Sequence, residues 1–319
     1  MNKSSTQLSI TSPSRLHLGF YGSDDNYGYQ YGSIGIGINA YHTKLSICSS
    51  NKIISDLPAK YTSPILKYLE IPKQKNNFIL SAISLPPRHI GLGSGSQLSL
   101  SVGKIISQFY KRPTEINAIA EIYKRGERSG TGIEIFKKGG FVVDSCKKAG
   151  MTPEVMFSSK FPAKWKVILI NDKSLKGISG KKEIDFFNRK MKVARKDQSI
   201  LSDILLRGIL PSIIYKDFSN FSENITEFQK ITASFYANKQ NGVFLSPMIS
   251  KIMKYIDSFD DLGIGQSSWG PLSYVFVESN LHAKELISII ENKFNVYNDL
   301  SLEIVSPCNS GYKLNINKK

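Results

Sequence analysis

The chain has 319 residues, 41% of them hydrophobic, and a formal net charge of +16 with a sequence pI near 9.5. That apolar share is enough for a real core and excludes whole-chain disorder, and the length suggests roughly two domains of about 150 residues each. No apolar run approaches the roughly 18 residues of a membrane span. The opening Met1-Asn2-Lys3-Ser4-Ser5 lacks an apolar signal core, so a cytoplasmic location is expected. Cys48, Cys146 and Cys308 are too few and too scattered for a disulfide framework or a zinc site. The positive balance suits anionic partners. The lysines are dispersed, though, and no arginine-rich run or aromatic–basic motif appears. Small phosphorylated molecules are therefore expected, rather than nucleic acid or a membrane.

In chain order, Gln7-Leu8-Ser9-Ile10-Thr11 alternates and begins a strand that continues past Pro13 through Leu18. A turn-rich segment from Ser23 to Tyr31 precedes Ile34, Ile36 and Ile38, which alternate with glycines, and then a strand from Tyr41 to Ile47. Phe78 to Leu85 reads as a mostly buried strand. It runs into Pro86-Pro87-Arg88-His89-Ile90-Gly91-Leu92-Gly93-Ser94-Gly95-Ser96-Gln97, with three glycines at alternate positions, and then into a helix with Leu98, Val102, Ile105, Ile106 and Phe109 on one face. A second helix follows Pro113, with Ile116, Ile119, Ala120 and Tyr123 on its apolar face. A short helix around Ile133 to Phe136 leads to a strand from Phe141 to Asp144. Met151 to Pro162 reads as a linker. Beyond it come a strand from Trp165 to Ile170 and a helix-rich region from about Glu183 to Phe235, broken at Pro211. Near the C-terminus a strand (Leu272 to Glu278), a helix (Leu281 to Phe294) and a strand (Leu300 to Ser306) are expected. Strands and helices mix without regular alternation, which predicts an α+β protein of two domains, 1–160 and 161–319.

Glycine lets the backbone take left-handed angles and lets a ligand approach the peptide units. A helix opening from such a loop presents unpaired N–H groups and its positive end, so the strand–glycine loop–helix order predicts an anion site. Its candidate binding residues are Gly91, Gly93, Ser94, Gly95, Ser96 and Gln97. Three other segments concentrate glycine, hydroxyls or arginine: Ser14 to Gly19, Arg125 to Gly132, and Gly263 to Pro271. Each alone is compatible with a tight turn; together they predict a polyanion pocket. Arg125 and Arg128 form a candidate clamp, because a guanidinium grips phosphate through two parallel hydrogen bonds. Ser129 and Gly130 lie beside them. Gln266, Ser267, Ser268 and Trp269 combine polar groups with a flat apolar face suited to an aromatic or sugar-like ligand. His17 and His89 have no partner fixed by spacing and read as structural or hydrogen-bonding residues. Asp144, Asp24 and Asp25 are the candidate magnesium-phosphate ligands, although doublets such as Asp24-Asp25 also suit plain polar turns.

These motifs resemble those of the GHMP kinase superfamily, which includes galactokinase, homoserine kinase and mevalonate kinase. Pro87-x-x-x-Gly91-Leu92-Gly93-Ser94 is similar to its phosphate loop, Ser12-Pro13-Ser14-Arg15-Leu16-His17-Leu18-Gly19 to its first motif, and the C-terminal glycine cluster sits where its third belongs. The resemblance implies an N-terminal domain of the ribosomal-protein S5 domain 2 type and a ferredoxin-like C-terminal domain. Within the superfamily the chain looks most like the β-ribofuranosylaminobenzene 5'-phosphate synthases of methanopterin biosynthesis. The matches are His89 to Leu98, Arg125-Gly126-x-Arg128-Ser129-Gly130-x-Gly132-Ile133, Gly139 to Asp144, and Gly265-Gln266-Ser267-Ser268-Trp269-Gly270-Pro271.

That likeness implies condensation of phosphoribosyl pyrophosphate with 4-aminobenzoate or 4-hydroxybenzoate, releasing carbon dioxide and pyrophosphate. It also implies a magnesium cofactor, the aromatic ring near Trp269, Arg15 on the aromatic carboxylate, and a homodimer. Arg15, Arg125 and Arg128 are then the expected catalytic cations. Gly95 stands where superfamily kinases typically carry a magnesium-holding serine, and Gly132 where several carry an aspartate base. The synthases tend to carry Gly-Arg where this chain has Gly28-Tyr29. An ATP-dependent small-molecule kinase and a non-catalytic phosphate- or nucleotide-binding regulator are the alternatives.

Overall fold

The computed structural model describes residues 6–22, 27–75, 77–175, 177, 194–240, 243–268, 270–294 and 299–318. Its backbone is two antiparallel-rich sheets with helices packed on them, the α+β arrangement expected from the sequence. The first sheet holds β1 (Thr6–Phe20), β3 (Ser33–Ser49), β4 (Ile54–Ser55), β5 (Phe78–Ser84), β6 (Phe141–Asp144), β8 (Val155–Ser159) and β13 (Lys313–Lys318). Two-residue strands β2 (Gln30–Tyr31) and β7 (Cys146–Lys147) pair with each other.

The alternating isoleucines near Ile34 and the strand from Tyr41 are one 17-residue strand, β3. It pairs with β1 along both halves, with β6 over Ile34–Ile36 and with β5 over Lys44–Ser49. One long strand thus carries two neighbours on the same edge. β1 absorbs register shifts between Ser12 and Ser14 and between His17 and Gly19. Such irregularities re-aim side chains near functional sites.

Helix α2 (Ser94–Phe109) packs on β1 and β3, flanked by α1 (Ala59–Tyr68), α3 (Ile116–Ile122) and α4 (Thr131–Lys138). The predicted apolar face is buried at Leu98, Val102, Ile105 and Ile106, and so are the small residues Ser99, Ser101, Gly103 and Ser107 on its other sides. Their size lets α3 and β1 approach closely: Ile119 fills the space beside Gly103, and Ser101 Oγ lies 3.1 Å from Ser12 Oγ.

The second sheet has the order β10 (Gly263–Gln266), β11 (Leu272–Val277), β9 (Lys166–Asp172), β12 (Leu300–Val305), every pair antiparallel. With helices between β9 and β10 and helix α9 (Asn280–Phe294) between β11 and β12, this is a ferredoxin-like topology. α5 (Arg195–Asp203), a π-turn over Ile204–Ile209, and α6 (Leu210–Tyr215) run on without interruption. The expected break at Pro211 is therefore corrected. Pro211 occupies the first turn of α6, where its missing N–H costs little, and the chain leaves the helix at Lys216 with φ 59°. α7 (Phe218–Gln240) and α8 (Pro247–Ile256) follow. The supposed linker from Met151 to Pro162 is likewise corrected: Val155–Ser159 forms β8 and pairs with β6.

One core cluster joins both sheets. Leu16, Leu18, Ile34, Ile36 and Phe141 of the first pack with Val167, Tyr274 and Phe276 of the second, and Phe221 and Phe228 of α7 lie among them. The two halves are held by shared apolar burial. Among the described residues, no helix is long and apolar enough to cross a membrane.

Candidate anion-binding site

The loop between β5 and α2 lies across β1, where the Arg15 amide donates to the Leu92 carbonyl over 3.1 Å. Gly91 has φ +106°, and a Cβ there would sit 2.5 Å from the Ser267 carbonyl oxygen. Gly93 is the N-cap of α2 in the left-handed region, φ 65°, with no side chain capping the helix. The helix begins at Ser94. The amides of Ser96 and Gln97 fold back onto the Gly93 carbonyl at 3.1 and 3.2 Å. The amides of Ser94 and Gly95 have no acceptor within the described residues. Two free N–H groups at the positive end of a 16-residue helix form an anion seat.

Around that seat is a cavity of about 400 Å³. Arg15, Lys60, Arg88 and Arg125 line it, together with Gly91, Gly93, Ser94, Gly95, Ser96 and Ser268; no carboxylate stands among its described lining residues. Arg125 is held in place by donating from Nε to Ser99 Oγ over 3.2 Å, and its terminal nitrogens lie beside Gly95. Any residue larger than glycine at position 95 would stand in front of that guanidinium. Arg15 passes against Gly93 and Gly132. Four cations in a wall with no carboxylate among its described residues set a positive potential that favours a multiply charged anion.

Several other predicted site residues are engaged within the protein. Ser267 Oγ donates to the Gly91 carbonyl (2.7 Å) and accepts from the His17 amide (3.0 Å), so it ties the glycine loop to β1 and to the β10–β11 turn. Gln97 is buried and its amide donates to the Gly132 carbonyl, pinning α2 to α4. Gln266 accepts from the Leu245 amide and donates to the Ser268 carbonyl.

Ser129 Oγ lies 2.7 Å from both Ser33 Oγ and Thr131 Oγ1. Asp144 is fully buried. Its carboxylate accepts from the amides of Ser33 (2.5 Å), Gly130 (2.5 Å) and Thr131 (3.2 Å) and from the Ser33 hydroxyl (2.9 Å). Burial pushes its pKa up to about 6 against the opposing pull of those donors. Arg128 does not reach the cavity wall. Trp269, Asp24 and Asp25 lie outside the described residues.

Sequence reading missed Lys60 and Tyr61 on α1 as wall residues, and gave Leu85 and Arg88 no role of their own. α1 brings its pair over the loop from a segment with no glycine or arginine signature. Magnesium is usually held by one or two carboxylates together with substrate phosphates. The described cavity wall offers the hydroxyls of Tyr61, Ser94, Ser96 and Ser268 and the imidazole of His89 but no carboxylate, and the Asp144 oxygens are filled. Among the described residues no group of three or more His, Cys, Asp and Glu side chains is placed to hold a metal. The described wall therefore does not fit a resident magnesium ion.

The whole backbone superposes on solved kinases. Homoserine kinase from Cytophaga hutchinsonii matches with a TM-score of 0.70 at 16% identity, covering 98% of each chain. Mevalonate kinase from Methanococcus jannaschii matches with a TM-score of 0.69 at 18% identity, covering 94% of this chain and 98% of that one. The chain has the GHMP-kinase fold. In GHMP terms the glycine loop, the first motif and the C-terminal glycine cluster are the three segments that Ser267, His17 and Gly91 tie together. No family model matches the chain. In sequence, the GHMP-fold chain is similar to the β-ribofuranosylphenol 5'-phosphate synthase of Methanocaldococcus jannaschii, 28% identical over 96% of this chain and 99% of that protein.

Proposed function

We propose that the chain is a β-ribofuranosylphenol 5'-phosphate synthase, joining phosphoribosyl pyrophosphate to 4-hydroxybenzoate with release of pyrophosphate and carbon dioxide. The observation that carries this reading is the wall of four cations, with no carboxylate among its described residues, around the free amides of Ser94 and Gly95, in a chain similar to such a synthase over nearly its whole length. The phenol in that relative's name favours 4-hydroxybenzoate over 4-aminobenzoate, since loss of its carboxyl group leaves a phenol.

In this reading the Ser94 and Gly95 amides and Arg125 hold the diphosphate. Its bond to the ribose C1 breaks, the electron pair leaves with pyrophosphate, and the fixed donors stabilise the charge that develops there. The ring carbon bearing the carboxylate bonds to C1. The bond to the carboxylate then breaks, its electron pair restores the aromatic ring, and carbon dioxide departs. No protein nucleophile or base is needed. Magnesium belongs to this reading as a companion of the substrate diphosphate, and no step is assigned to it. A homodimer comes with the reading from likeness alone, and a cytoplasmic location from the N-terminal sequence.

Several kinases of the superfamily use an aspartate as base for the accepting alcohol, although kinases lacking it exist. Gly132 stands where those kinases carry the aspartate, and no described carboxylate lines the cavity. Incubation with phosphoribosyl pyrophosphate and carboxyl-labelled 4-hydroxybenzoate tests the proposal: labelled carbon dioxide is expected. ADP formed from ATP with a small alcohol, and no labelled gas, would replace the synthase by the kinase.

A further inference from the structure

The cavity around the glycine loop accounts for the diphosphate and leaves open where an aromatic ring would lie. A second cavity, of about 230 Å³, opens between α7, α8 and β10. Its apolar wall includes Ala233, Val243, Phe244, Met253 and Ile264, and Lys254 stands exposed at its rim. Drug-sized ligands fill clefts of about 300–1,000 Å³, so this one suits a single substituted ring and is too small for a phosphoribosyl group. Lys230, the other cation of its wall, is paired with Asp257 at 3.1 Å, which leaves Lys254 as the rim cation with no recorded partner.

Between the two cavities lies a void of about 20 Å³ beside His17. It shares Ser268 with the diphosphate cavity and shares Gln229, Ala233, Val243 and Gln266 with the apolar one. The polar side chains of Gln229, Thr232 and Gln266 that face this void are committed: they bond to the Leu18 carbonyl, the Phe228 carbonyl and the Leu245 amide. His17 differs. Its Nδ1 accepts from the Gly19 amide at 3.2 Å, which puts the ring proton on Nε2, and that buried Nε2 has no partner. Burial and the nearby Arg15 keep the imidazole neutral. A buried donor left unpaired costs free energy that a ligand acceptor would recover.

We propose that an aromatic carboxylic acid binds in the cavity between α7, α8 and β10, with its ring on Ala233 and Ile264, and reaches the diphosphate cavity past the Nε2–H of His17. His17 is here a positioning residue that fixes the acid's polar end where the void opens at Ser268, and Lys254 draws the acid in at the rim. The proposal rests on the synthase reading for the identity of the acid, but its test does not depend on turnover.

Binding of 4-hydroxybenzoate is measured by calorimetry, with pyrophosphate binding as the control. Ala233→Leu, which fills the passage, is expected to weaken the acid at least tenfold and leave pyrophosphate affinity within twofold. Lys254→Glu, an exposed change that tests the rim without disturbing the core, is expected to weaken the acid severalfold. His17→Gln, which keeps a donor, is expected to bind the acid better than His17→Leu. Unchanged acid affinity in both Ala233→Leu and Lys254→Glu overturns the proposal, as does a crystal soaked with the acid that shows it outside this cavity. Acid binding without labelled carbon dioxide would instead overturn the synthase reading and leave this site standing.

Discussion

Ser267 and Gly91, 176 residues apart in the chain, are joined by a 2.7 Å hydrogen bond from the serine hydroxyl to the glycine carbonyl. The same oxygen accepts from the His17 amide, so one side chain closes three segments around the anion seat. Ser267→Ala leaves a part-buried carbonyl and a buried amide without that partner, a loss of about 2 kcal/mol. Urea denaturation is expected to show that loss. Titration calorimetry should show weaker pyrophosphate binding, because the loop loses its anchor.

Arg125 stands in the cavity wall and Arg128 does not. Removing a charged hydrogen-bond donor from a phosphate costs about 2 kcal/mol, roughly thirtyfold in affinity. Arg125→Ala should therefore weaken pyrophosphate binding by about that factor, while Arg128→Ala changes it little. Titration calorimetry of the two variants checks the order; equal losses would return Arg128 to the clamp.

The glycines of the loop are not equivalent. Gly91→Ala forces a side chain into φ +106° and against the Ser267 carbonyl, and a loss of stability of about 2–3 kcal/mol is expected. At Gly95 an added Cβ would lie 3.6 Å from the nearest Arg125 nitrogen, an ordinary contact. Gly95→Ala should leave stability within about 1 kcal/mol and act mainly on anion affinity. Thermal melts with and without pyrophosphate separate the two effects.

Asp144 gives a pH signature. Burial raises its folded pKa to about 6, above the ordinary 3.8. A carboxyl raised in this way adds stability below pH 4 and loses it as pH rises through about 6. The full span is at most about 3 kcal/mol. The stability difference between the native chain and Asp144→Asn, measured in urea at pH 4.5 and 7.5, should shift against the native chain at the higher pH. A pH-independent difference would refute the buried-carboxyl account.

Where periodicity and a glycine signature coincided, the sequence was legible. β6 spans Phe141–Asp144, the residues expected just after the glycine pair, and the packed face of α2 follows the 3.6-residue spacing. β8 was hidden because prolines at 153 and 162 bracket it and make its five residues look like a spacer. α1 carries Pro64 inside the helix, which masks its period, and with it the cavity residues Lys60 and Tyr61. The polar residues of the glycine segments posed a different difficulty. A serine in a glycine turn reads equally as a ligand donor or as an internal tie, and only the loop lying across it decides. Ser267 and Gln97 are ties; Ser94 and Ser96 face the cavity.

The pairing of Thr6–Thr11 in β1 with Lys313–Lys318 in β13 has a consequence for biogenesis. During synthesis the ribosome must deliver some three hundred intervening residues before that flank of the first sheet is covered. Until then β1 presents a row of unpaired amides and carbonyls to other nascent chains. Deleting β13 would make that temporary vulnerability permanent, and self-association of the shortened protein is the outcome to look for.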